Sequence, residues 1–295
     1  MGKPKRLTSS TTWQRPRSKV PPGRRDLPSP PLVWGVLLAL LAGCSTVPET
    51  GRRQMILLSK EKEVELGQAA WVESKKVGTL CGDAAASAVV ESVGRRIAAA
   101  SRADYAWEFA LFESDQVNAY CLPGGKVSVM TGILPVAESE AGLAAVMGHE
   151  VVHALARHGG ERMSQGITTQ IALIGAAIGL STSGIDPNSG GMAMQALGLG
   201  AQVGVLLPFS RKHESEADYI GLLFAAGAGY DPREAVRVWE RMEAIGGQQP
   251  SEYLSTHPSH GTRIQQLTEW MPEALALYES APKAPASDLP PIGSH

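Results

Sequence analysis

Aromatic residues are scarce, at 5% of the 295 positions, and cysteine occurs only three times. Few aromatics against 32 glycines mean that a core must come mainly from Leu, Val, Ile and Ala. Three cysteines exclude a disulfide-built scaffold. No apolar run reaches the ~20 residues that span a bilayer as a helix. Positive charge is also lacking after the N-terminal segment. Residues 1–31 carry eight basic side chains against one acid, whereas from Cys44 onward 19 basic residues face 28 acidic ones. That acidic balance argues against a nucleic-acid partner. A hydrophobic fraction of 43% with 19% charged residues excludes a wholly disordered chain.

The basic segment leads into Leu32–Ala42, an apolar stretch of the ~7–15-residue length of a signal-peptide core. It ends in Leu41-Ala42-Gly43-Cys44, which resembles a bacterial lipobox, and this implies a lipidated Cys44 as the first mature residue. Ser45 in the next position favours the periplasmic face of the outer membrane, with the inner membrane as the alternative. The domain reading is then a signal peptide over 1–43, a tether over 44–58, a catalytic domain over 59–279 and a Pro-rich flexible tail over 280–295. Cys81 and Cys121 remain as two thiols that either pair or stay buried and free.

Apolar periodicity predicts helices over residues 59–76 and 83–100. Alternation at Tyr105, Trp107, Phe109 and Leu111, followed by the runs 117–122 and 126–133, predicts a three-strand meander. Beyond Pro135 the pattern is helical: 139–158, 161–180, an apolar hairpin completed by 192–207, then 208–226 and a helix opened by Asp231-Pro232. The fold class is α+β and mainly helical, with a small sheet of three to four strands.

His149-Glu150-Val151-Val152-His153 is an HExxH motif within an apolar helix. Two imidazoles one turn apart share a face and can reach one Zn²⁺, while Glu150 is placed as general base. A catalytic zinc needs a third protein ligand, and Glu214 is the candidate. Asp218, four residues on, shares its face and can orient a ligand imidazole. Glu216 reads as solvated, and His158 and His213 read as surface residues. His257, before Pro258, either caps a helix or faces the open position of the metal. Arg263 is the candidate donor to a substrate carbonyl.

These motifs come with others: Thr50-Gly51-Arg52-Arg53-Gln54, Asn118-Ala119-Tyr120 with Leu122-Pro123-Gly124-Gly125-Lys126, Ser210-Arg211-Lys212-His213-Glu214-Ser215-Glu216-Ala217-Asp218, and Ser255-Thr256-His257-Pro258. Together they resemble metallopeptidase family 48, the gluzincins that include HtpX, the CAAX prenyl protease and the Oma-type enzymes, most of all its bacterial periplasmic lipoprotein branch. The resemblance implies a zincin-type domain with one Zn²⁺ per chain. It also implies an edge strand around Asn118, Ala119, Tyr120, Gly124 and Gly125 against which an extended peptide lies, and a His257 able to hold the enzyme latent. The implied substrates are unfolded or misassembled envelope proteins, with outer-membrane assembly machinery as a possible partner. The rival reading is a chaperone-like binding lipoprotein with a structural or latent zinc.

Overall fold

The computed structural model describes residues 44–182, 210–246, 252–257 and 262–290. The signal segment over 1–43 and the second arm of the apolar hairpin, 192–207, lie outside the described residues. The region read as a tether instead forms a hairpin of β1 (Cys44–Thr46) and β2 (Arg53–Met55), with Val47 buried beside it. Helices α1 (Lys60–Val77) and α2 (Ala84–Ser101) follow, their N-termini capped by Ser59 and Asp83 side chains.

Strands β3 (Glu108–Phe112), β4 (Ala119–Leu122) and β5 (Lys126–Met130) form one sheet in the order β3-β5-β4. The expected meander is therefore corrected. β4 and β5 make an antiparallel hairpin through Gly124 and Gly125, both at positive φ, but β5 then pairs with β3 in parallel. Alternation fixes which face of a strand is buried but not which strand it joins. β4 is left at the edge.

On β3, Glu108 meets the buried Lys126 at 2.9 Å, the Trp71 indole N–H at 2.7 Å and Lys75 at 3.1 Å. Lys126, Trp71 and Lys75 together lower its pKa to about 2. A carboxylate with a depressed folded pKa stabilises above its unfolded pKa of about 4.5. That contribution is lost as pH falls towards 2. Glu108→Gln is expected to flatten this part of an acid-unfolding curve, by under about 1 kcal/mol because the side chain is 43% exposed. An unchanged acid limb in equilibrium unfolding would refute the assignment.

After a short α3 (Leu134–Ala137) comes α4 (Glu140–Leu155), capped by the Ser139 side chain and buried along most of its length. Its polar motif residues are thus placed in the interior. The expected helix to His158 breaks early, because Arg157 adopts φ 58°. The strain is held by Arg157 bonds to Glu63 at 2.9 and 3.0 Å and to the Leu58 carbonyl at 2.8 Å. α5 (His158–Thr182) then follows as a separate helix.

α6 (Arg211–Gly227) crosses α4 where two glycines meet. A Cβ on Gly148 would lie 2.8 Å from the Gly221 carbonyl oxygen, and one on Gly221 would lie 2.8 Å from the His149 nitrogen. Backbone contact at this crossing draws Glu214 and Asp218 towards the HExxH turn. Gly221→Ala is expected to cost about 1–3 kcal/mol and weaken zinc binding as the helices separate. Thermal melting and metal competition of the variant check this, and wild-type values for both would refute it.

α7 (Arg233–Gly246), α8 (Glu252–Thr256) and α9 (Arg263–Ser280) complete the helical layer. The tail read as flexible is bound as far as Leu289. Ala284 N–H donates to Gly229, Leu289 N–H to Glu138, and the Ser287 carbonyl accepts from Glu140 at the start of α4.

Candidate metal centre

α4 presents His149 and His153 one turn apart, α6 presents Glu214, and His257 follows α8. All four are buried, and one donor atom from each lies within 4.8 Å of the others. His149 Nε2 is 3.0 Å from His153 Nε2 and 3.3 Å from His257 Nδ1. Glu214 carboxylate oxygens lie 3.4 Å from His149, 3.5 Å from His153 and 3.1 Å from His257. Donors held about 2.0–2.1 Å from a tetrahedral zinc are separated from one another by about 3.3–3.4 Å. The donor set therefore fits the ion in chemistry and in spacing.

The surrounding charges agree. Burial and Arg263 both oppose a charged His149, yet hydrogen bonds and charge from Asp218 and Glu214 push its pKa up to about 9. The pocket's field favours a cation. Burial and then the neighbouring imidazoles hold His153 neutral, the state in which an imidazole ligates metal. Glu214 stays ionised despite burial, through its contacts with His149, His257 and Arg263.

Asp218 Oδ1 accepts from His149 Nδ1 at 2.9 Å, leaving Nε2 to face the donor set. Arg263 is placed differently from the sequence expectation. Its guanidinium is 2% exposed, bonds both Asp218 oxygens, pairs with Glu214 at 2.9 Å and lies 3.4 Å over the Trp239 ring. It thus pairs with two buried carboxylates beside the donor set. His257 enters the donor set through Nδ1, stacked on Tyr253 at 4.6 Å.

Glu150 lies beside the donors but outside them. It is 2% exposed, and its Oε1 has no hydrogen-bond partner among the described residues, with His257 Nε2 nearest at 3.6 Å. Burial, and then the Glu150 charge, raise the pKa of Tyr253 well above its ordinary value. The same two causes, in that order, raise the pKa of the Cys121 thiol on β4. Cys121 and Cys81 are both free thiols.

Sequence reasoning missed a second polar cluster. His158 and His213 are buried, not on the surface, with rings stacked at 4.4 Å. Glu216 is buried as well, not solvated, and its pKa falls to about 2 because bonds from His158, Thr50 and Arg52 outweigh burial. Burial pushes His158 down to about 4 against the pull of Glu216. The only available signal was the opposite charge of Arg52 and these distant carboxylates.

The buried group of His149, His153, Glu214 and His257 could hold a metal, as the site of a zinc metalloendopeptidase would. Comparison with known proteins agrees. The chain belongs to peptidase family M48, whose profile matches residues 84–271. It is 38% identical over 244 residues to the mitochondrial metalloendopeptidase OMA1 of Schizosaccharomyces pombe, covering 80% of this chain and 68% of that one. Against the human mitochondrial metalloendopeptidase OMA1 it is 31% identical, covering 83% of this chain and 49% of the relative. The β-barrel assembly-enhancing protease of Escherichia coli is 26% identical, with 77% of this chain and 47% of the relative covered. The chain thus spans about half the length of these last two relatives.

The mitochondrial relatives overturn the expected location on the periplasmic face of the outer membrane. They also leave membership of the bacterial lipoprotein branch without support. No helix among the described residues is long and apolar enough to cross a membrane.

Proposed function

We propose that His149, His153 and Glu214 hold the zinc, that Glu150 is the general base, and that the substrates are unfolded or misassembled membrane-associated proteins. The observation that carries the catalytic reading is the unpartnered Glu150 oxygen buried beside the donor set. A structural zinc site has no use for such a group, which disfavours the chaperone-like rival. Zinc bound here supplies Lewis acidity, polarising the scissile carbonyl and acidifying water. Glu150 takes the proton from the attacking water and delivers it to the leaving amine. Asp218 and Arg263 keep the ligand side chains oriented. The edge strand around Asn118, Ala119, Tyr120, Gly124 and Gly125 pairs with the substrate main chain, which gives affinity with little sequence selectivity. Low selectivity suits unfolded substrates, and the likeness to the β-barrel assembly-enhancing protease of Escherichia coli supports a quality-control role.

His257 occupies the position that water and substrate need. It is the latch of this reading. His257→Ala is expected to raise basal cleavage of an unfolded protein several-fold with zinc retained. Loss of activity with zinc retained would instead place His257 among the catalytic groups. The Leu41-Ala42-Gly43-Cys44 sequence supports a lipid tether at Cys44, tested by whether Cys44→Ala still partitions into detergent. Zinc content measured alongside casein digestion tests the central reading: zinc-loaded protein that leaves casein intact, with His257 present or replaced, overturns it.

A further inference from the structure

The Thr50-Gly51-Arg52-Arg53-Gln54 segment has no part in the mechanism above, yet it is tied to the metal centre. The turn between β1 and β2 is closed by Val47 N–H to Arg52 O at 2.9 Å and Gly51 N–H to Val47 O at 2.8 Å, with Gly51 at φ 68°. This turn directs two side chains inward. Thr50 donates its hydroxyl to Glu216 Oε1, and Arg52 Nε donates to Glu216 Oε2 at 2.8 Å. The other end of the guanidinium meets Glu161 at 2.9 Å. Glu216 Oε2 lies 2.9 Å from His158 Nε2, and His158 Nδ1 lies 2.9 Å from His153 Nδ1. The chain of contacts ends on a zinc ligand.

Proton placement along this chain has one consistent solution. A neutral imidazole carries a single N–H. With His153 Nε2 turned to the metal, its proton sits on Nδ1 and must be donated to His158 Nδ1. His158 then carries its own proton on Nε2, which can only be donated to an acceptor. The Glu216 carboxylate is that acceptor. Thr50 and Arg52 fix its orientation, and Arg52 balances its charge.

We propose that Thr50 and Arg52 are positioning residues of the zinc site, setting the ring orientation and tautomer of His153 through Glu216 and His158. The inference rests on the zinc assignment made above. Partners of ligand imidazoles typically change metal affinity by about 10–100-fold.

The test is zinc affinity of the metal-stripped full chain, titrated with zinc against a chromophoric chelator, with folding of each variant checked by circular dichroism. Glu216→Ala is expected to weaken zinc binding roughly 10–100-fold. Glu216→Gln, which keeps an acceptor oxygen, should recover much of that. The double variant His158→Ala/Glu216→Ala should bind no worse than His158→Ala alone, because Glu216 acts through His158. Arg52 sits at the rim, with its side chain 22% exposed. Arg52→Ala therefore carries the test if Glu216→Ala fails to fold, and it should lose several-fold in zinc affinity. The exposed neighbour Arg53→Ala should lose none. In turnover, Arg52→Ala should lower kcat and leave KM unchanged, since the residue meets no substrate. Wild-type zinc affinity in folded Arg52→Ala, or additive losses in the double variant, overturns the proposal. A wild-type chain that binds no zinc overturns the metal assignment itself, which is a separate result.

Discussion

Glu150→Gln is expected to lower kcat/KM on an unfolded protein roughly 10²–10⁴-fold while zinc stays bound. The substitution keeps size and hydrogen-bonding shape but removes the atom that accepts the proton. Glu150 lies outside the four-residue donor set, so metal retention follows from the geometry. His149→Ala, His153→Ala and Glu214→Gln each remove a donor and should lose the metal instead. Zinc content by atomic absorption, run alongside the cleavage assay, separates the two groups. Equal zinc loss in all four variants would refute the division of roles.

Arg263→Ala is expected to have the largest effect on stability. The wild-type guanidinium neutralises Asp218 and Glu214, both buried, and is itself covered by the Trp239 face. Removing it leaves two buried carboxylates with His149 as their remaining positive partner, at a cost of about 3–5 kcal/mol. In a chain of this size that lowers the melting temperature by roughly 6–20 °C. Added zinc should recover part of the loss, because the ion restores positive charge beside Glu214. Calorimetry with and without zinc checks both statements. A metal-free variant that melts with the wild type would show that Arg263 braces nothing.

His149 and His153 were legible because the i, i+4 spacing on a helix converts directly into a shared face. The same logic placed Asp218 beside Glu214, and α1, α2 and α6 were bounded closely by their periodicity and capping residues. What escaped depended on partners distant in sequence. His158 looked like a surface residue because it falls five positions after His153, off the metal-facing stripe of one continuous helix. The helix is not continuous. Arg157 breaks it with a left-handed backbone held by Glu63, and nothing local announces that bond. Glu216 looked solvated for a similar reason, since its partners Thr50 and Arg52 come from another element. The ion pairs of Arg263 with Asp218 and Glu214 were not foreseen, because a guanidinium serves equally well as substrate donor and as carboxylate brace.

The bound tail bears on how the chain comes into being. The first turn of α4 is completed by a hydrogen bond from Glu140 to Ser287, and Ser139 bridges to Asp288. Ser287 is synthesised long after the helix it completes, and domains assemble as the chain emerges from its N-terminus. Until residues 287 and 288 have been made, the helix bearing His149 and His153 lacks the main-chain contacts that tie its first turn to this segment.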